Sequence, residues 1–156
     1  MNGYMAPEYA ADGLFSVKSD VFSFGIILLE IVSGRKNVGF YNDVNASNLT
    51  GYAWNLWKEG GGFNLLDPSL QDSSSPTQIL RCIHLALLCV QENAEDRPSM
   101  ASVLVALESE TLSLPTPGEP GFLRGRCPRG PLRRSPPSQT STYSNNEITF
   151  STFEGR

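Results

Sequence analysis

Val21-Phe22-Ser23-Phe24-Gly25-Ile26-Ile27-Leu28-Leu29-Glu30-Ile31-Val32 is a twelve-residue run broken only by the polar Ser23 and Glu30. A membrane span takes about 20 residues, so the run is too short to be one. Wound into a helix it is apolar almost all the way round, and such a helix has to be surrounded by protein. This helix is therefore the centrepiece of the fold. Ser16 or Ser19 offers it a cap, Asp20 faces the positive end of its dipole, and Gly34 stops it.

Outward from the centrepiece, other segments show helical spacing. Leu49, Tyr52, Ala53, Leu56 and Trp57 recur on one face, and Lys58 with Gly60-Gly61-Gly62 ends that helix. Ser75-Pro76-Thr77-Gln78 is a start signal in which Ser75 caps, Pro76 takes the first turn and Gln78 reaches back. Ile79, Ile83, Ala86, Leu87 and Val90 follow as a buried stripe, and a last helix near Pro98 places Met100, Val103, Leu104 and Leu107 on one face. Residues 1–15 lack periodicity and read as loop, and no strand pattern or internal repeat occurs. The expected fold is all-α, with about four helices.

The 156 residues carry 12 Lys+Arg and 16 Asp+Glu, a net charge of −4, which argues against a nucleic-acid partner bound through a basic face. The charge divides unevenly. Residues 1–112 hold 6 basic and 13 acidic side chains, whereas residues 113–156 hold 6 and 3. The second region has 7 of the 11 prolines and only 9 apolar residues in 44. It cannot bury enough surface to offset its ordering entropy, so the expected organisation is a folded part over 1–112 and a disordered tail over 113–156. Within that tail, Pro117-Gly118-Glu119-Pro120 and Pro128-Arg129-Gly130-Pro131 have PxxP spacing, and Arg133-Arg134-Ser135-Pro136 sets a serine beside two arginines.

No leader or membrane segment is visible, and the three cysteines form no CxxC pair. Cys82 and Cys89, seven residues apart on one helix, are about 10 Å apart along its axis and cannot bridge. Reduced thiols in a cytoplasmic setting are expected. There Asn45-Ala46-Ser47 and Asn48-Leu49-Thr50 remain unglycosylated despite matching the acceptor pattern. Catalytic constellations are missing. The single histidine, His84, falls inside a helix, the cysteines and histidine make no metal set, and Gly60-Gly61-Gly62 follows a helix instead of linking strand to helix. Glu95-Asp96 opens a helical segment, where dipole and solvent account for it.

Tyr4-Met5-Ala6-Pro7-Glu8-Tyr9 contains Ala-Pro-Glu, the string that closes the activation segment of protein kinases. Ser19-Asp20-Val21-Phe22-Ser23-Phe24-Gly25 resembles the kinase segment opening the large central helix. Arg35 after Ser33-Gly34, Leu65-Leu66-Asp67-Pro68-Ser69-Leu70, Cys89-Val90-Gln91 and Asp96-Arg97-Pro98-Ser99-Met100 resemble plant receptor-like kinases. Ser144-Asn145-Asn146-Glu147-Ile148-Thr149 and Glu154-Gly155-Arg156 are similar to the C-terminal end of lectin-type (S-domain) plant receptor kinases, and the chain as a whole resembles the lectin-type (S-domain) and cysteine-rich receptor kinase group. The resemblance spans the whole chain and implies the C-terminal helical part of a kinase large lobe.

By that resemblance Glu8 pairs with Arg97 as a structural ion pair, and Asp20 anchors the catalytic-loop backbone of the parent kinase. Gly3, Tyr4 and Met5 form the loop that receives substrate. The helix bearing Trp54 and Trp57 offers a docking surface for protein substrates or regulators, the anchors of a non-catalytic binding module as the rival reading. The family's ATP and magnesium ligands lie in a Gly-rich loop, a strand lysine, His-Arg-Asp and Asp-Phe-Gly. None of these strings occurs here. The resemblance therefore implies no catalytic, cofactor or metal residue in this chain, while the parent, with its kinase domain in the cytosol beneath the plasma membrane, uses ATP and magnesium. The missing cover on the central helix also implies an exposed apolar patch and marginal stability.

Overall fold

The computed structural model describes residues 3–13, 15–38, 48–71, 75–109 and 111–121. Five helices follow one another: α1 (Pro7–Asp12), α2 (Val17–Ser33), α3 (Leu49–Lys58), α4 (Pro76–Cys89) and α5 (Met100–Glu108). Short 3₁₀ turns at Gly62–Leu65, Pro68–Leu70 and Ala94–Asp96 lie between them. Among the described residues there is no strand, only an isolated bridge between Gln91 and Pro120.

Both serines named for the start of α2 take part in its cap. The Ser16 hydroxyl accepts from the Ser19 amide and the Ser19 hydroxyl accepts from the Ser16 amide, each at 3.3 Å. Gly34 ends the helix at φ 64°, its amide donating to Glu30 O at 2.8 Å. A Cβ at Gly34 would stand 1.8 Å from Asp67 Oδ2, so the stop needs glycine for its backbone and for its lack of a side chain. Asn48 caps α3 by accepting from the Gly51 amide at 2.8 Å.

The main core joins Phe22, Ile26 and Leu29 of α2 to Leu49 and Ala53 of α3 and Ile79, Ile83, Ala86 and Leu87 of α4. Each of the Phe, Ile and Leu side chains buried here stabilises the fold by about 1.5–3 kcal/mol. A second cluster unites Val21 with Leu85, Leu88, Cys89, Val103 and Ala106.

Four features differ from the sequence reading. Pro7–Asp12 is a helix, not loop: Pro7 presets the first turn and Gly13 closes it at φ 67°. Ser75 stands at the N-cap of α4 but makes no side-chain cap bond. On α5 only Val103 and Ala106 are buried, whereas Met100, Leu104 and Leu107 are exposed, because α5 meets α4 along a single ridge. Packing does not stop at residue 112: Leu114, Pro117, Pro120 and Gly121 lie against the helices. The motifs at 128–136, the string at 144–156 and the Asn45 acceptor pattern lie outside the described residues.

Candidate functional site

The segment from Gly3 to Asp12 is fastened to the helices at two places. At the first, Arg97 leaves the Ala94–Asp96 turn and reaches Glu8 in the first turn of α1. Its side chain is fully buried, while that of Glu8 keeps 22% exposure. Nη1 donates to Glu8 Oε1 at 2.8 Å and Nη2 to Oε2 at 2.9 Å, the bidentate fork that guanidinium geometry favours. The remaining donors reach Lys18 O at 3.1 Å, Glu92 O at 3.1 Å and, from Nε, Gln91 O at 2.8 Å. The cation also lies 4.9 Å from the Phe22 ring centre. Lys18 Nζ donates to Arg97 O, and the Ser19 hydroxyl donates to Glu8 Oε1 at 3.3 Å. Partial burial opposes ionisation of Glu8, but the hydrogen bonds from Arg97, from its own backbone amide and from Ser19, together with the Arg97 charge, outweigh it and hold the carboxyl below its ordinary value.

The second fastening holds the loop at Gly3–Met5. Tyr4 donates its hydroxyl to both oxygens of Glu30, at 2.9 and 3.0 Å, and its carbonyl accepts from the Ser23 hydroxyl at 2.8 Å. The bond to Glu30 favours the neutral phenol and raises the Tyr4 pKa. Glu30 Oε1 also accepts from the Asn37 amide at 2.6 Å. Asn37 is buried. Its side chain donates to Gly3 O and accepts from the Thr50 hydroxyl at 3.3 Å, and its carbonyl accepts from the Leu49 amide at 3.3 Å. One asparagine thus ties the Gly3 loop, α2 and α3 together. Sequence reasoning passed over Glu30, Asn37 and Gln91. A lone carboxylate inside the Val21–Val32 run was a signal for Glu30; Asn37, in a polar loop, gave none.

Asp20 lies in the first turn of α2 with its side chain exposed, and no described residue hydrogen-bonds its carboxylate. At helical spacing it shares one face with Val17, Ile27 and Ile31, which are 74%, 46% and 64% exposed. This stripe brings an acidic side chain and three apolar ones to the surface together.

A family model described as protein tyrosine and serine/threonine kinase matches residues 2–107. The chain belongs to this kinase family. The Arabidopsis thaliana receptor-like serine/threonine-protein kinase SD1-7 is 52% identical over 158 residues, covering 99% of the chain and 19% of that kinase. The G-type lectin S-receptor-like serine/threonine-protein kinase SRK of the same plant is 49% identical over 162 residues, with the same coverage of each. Cysteine-rich receptor-like kinases are further relatives. The solved pseudokinase domain of BIR2, an immune regulator of the RLK/Pelle family, matches with a TM-score of 0.62 and 29% identity over 70% of the chain and 33% of that domain. The chain spans about a fifth of the length of the curated kinases it matches. What it carries is a fragment of a receptor-like serine/threonine kinase domain, part of the helical large lobe.

The remaining candidates of this kinase segment lie on α3 and α4. Trp54 and Trp57 of α3 are half-buried against the main core. Trp57 lies 4.7 Å from the His84 ring at 49°, and Lys58 Nζ lies 5.7 Å from the Trp54 ring centre. Burial pushes the Cys89 thiol up to about 12 and raises Cys82 as well, so neither is a ready nucleophile at neutral pH. Among the described residues no helix is long and apolar enough to cross a membrane.

Proposed function

We propose that the chain serves as the C-terminal part of the large lobe of a receptor-like kinase that transfers the ATP γ-phosphoryl group to protein serine or threonine hydroxyls. The observation that carries this reading is the stripe Val17, Asp20, Ile27 and Ile31 on α2. An exposed apolar row with an unpaired carboxylate in it is a mating surface, and the catalytic loop and its helix are what the family places there. Held by Glu8–Arg97 and Glu30–Tyr4, the Gly3–Met5 loop is fixed where a kinase substrate is received.

The described residues gather no set that fits a nucleotide or magnesium site. No group of three or more His, Cys, Asp or Glu that could hold a metal exists among the described residues, and the sequence has no phosphate-cradling loop. ATP and magnesium belong to the parent, and these 156 residues alone transfer no phosphate. The setting is cytoplasmic, with the parent at the plasma membrane, and the partners are protein substrates and regulators.

The test is complementation. The chain is mixed with the upstream kinase segment of a receptor-like relative, running from its Gly-rich loop through Asp-Phe-Gly, and labelled phosphate on a protein acceptor is counted. Incorporation is expected from the mixture, weakened by Asp20→Ala, and none from the chain alone. Incorporation by the pure chain that disappears on substituting one of its own residues would overturn the reading.

A further inference from the structure

Residues 111–121 run back over the helices as a strap. Leu114 packs on the cluster containing Val21, Leu85 and Val103, and Pro117, Pro120 and Gly121 are buried. His84 Nε2 donates to Pro115 O at 2.7 Å, and the Gly118 amide donates to Gln91 Oε1 at 2.6 Å. The Glu92 amide donates to Glu119 O and the Gly121 amide to Val90 O, both at 3.0 Å. The PxxP spacing at Pro117–Pro120 is thus taken up by the chain's own α4 and the turn after it.

Two routes lead from this strap to α1. The first passes through residues 90–92, which bond the strap on one side and Arg97 on the other. Arg97 Nε donates to Gln91 O and Nη2 to Glu92 O, while the same guanidinium grips Glu8. The second route is direct. A Cβ on Gly121 would stand 2.5 Å from Pro7 Cγ and 3.4 Å from Phe22 Cε2, so the end of the strap rests on the first residue of α1.

We propose that residues 111–121 are a clamp on the end of the activation segment. With the strap seated, α1 and the Gly3–Met5 loop are held against α2; with it lifted, α1 loosens while α3 stays in place. That the Gly3–Met5 loop so held is one that receives substrate rests on the kinase reading above, whereas the mechanical link stands on its own.

Amide hydrogen exchange on the full chain tests the link. The amides of Ala10 and Gly13, which donate to Ala6 O and Tyr9 O, report on α1, and Leu49–Lys58 serves as the reference. Gly121→Ala forces the strap away from Pro7 and is expected to speed exchange at Ala10 and Gly13 by about fivefold, with α3 unchanged. Pro117→Asp, which sets a charge beneath the strap, should give the same pattern. Unchanged exchange in α1 overturns the clamp, and so does an equal rise in α1 and α3. If Pro117→Asp unfolds the chain, Gly121→Ala decides alone. None of these outcomes depends on phosphate transfer, so failure of the clamp and failure of the kinase reading are distinguishable.

Discussion

The guanidinium of Arg97 has five N–H groups, and each finds an acceptor, on Glu8, Lys18, Gln91 or Glu92. Lysine carries a point charge and three donors and cannot reproduce that fork. Arg97→Lys is therefore expected to destabilise the chain in urea titration, since three donors cannot serve both Glu8 oxygens and the three backbone carbonyls, and Arg97→Met, which removes the charge facing Glu8, by about 3–5 kcal/mol. Glu8 gives a pH signature. Its carboxyl is held below the ordinary value, so it contributes stability at pH above about 4.3, and that stability is lost as pH falls through the folded-state value. Melting followed from pH 7 to pH 2 should show a steeper acid decline in the wild-type chain than in Glu8→Gln. Parallel curves would remove Glu8 from the account. Two short strings made this pair legible in the sequence. The Glu30–Tyr4–Asn37 group was not, because its members occupy loop and helix positions with no fixed spacing.

At the scale of elements, caps and periodicity carried most of the information. Ser16, Ser19 and Gly34 bound α2, Lys58 and the glycines after it mark the end of α3, and the stripe Ile79, Ile83, Ala86, Leu87 and Val90 is buried throughout. Helix α1 escaped because six residues are fewer than two turns, too short for a period to show. On α5 the spacing grouped Met100, Leu104 and Leu107 with Val103 and left out Ala106, the other buried residue, and it could not say whether anything covers that face. Periodicity reports which side chains share a direction; burial depends on what stands opposite. Val103→Ala should accordingly cost about 1–3 kcal/mol, whereas Leu104→Lys, at a site 57% exposed, should stay within about 0.5 kcal/mol. Comparable losses for both in chemical denaturation would mean that α5 is covered in solution.

Across the whole molecule, the uncovered face of α2 governs behaviour. Ile27, Ile31 and Val17 present an apolar row to water, so a hydrophobic dye should bind the native chain. Replacing Ile27 and Ile31 together by Ser is expected to cut dye fluorescence without lowering the melting temperature. A large fall in melting temperature would show that the row is packed. The strap at 111–121 was the part of the fold least visible beforehand. Its proline-rich, apolar-poor composition argues against packing, yet it is held by amides and carbonyls, groups that every residue has and that no sequence pattern marks. The Glu8–Arg97 bond, finally, joins residues 89 apart in the chain. Closing a loop of that length costs about 4 kcal/mol of chain entropy, so the contact forms only once the helices between have shortened the gap. Tyr4 can thus reach Ser23 and Glu30, 19 and 26 residues away, well before α1 is locked down, and the two fastenings of one short segment close at different stages of folding.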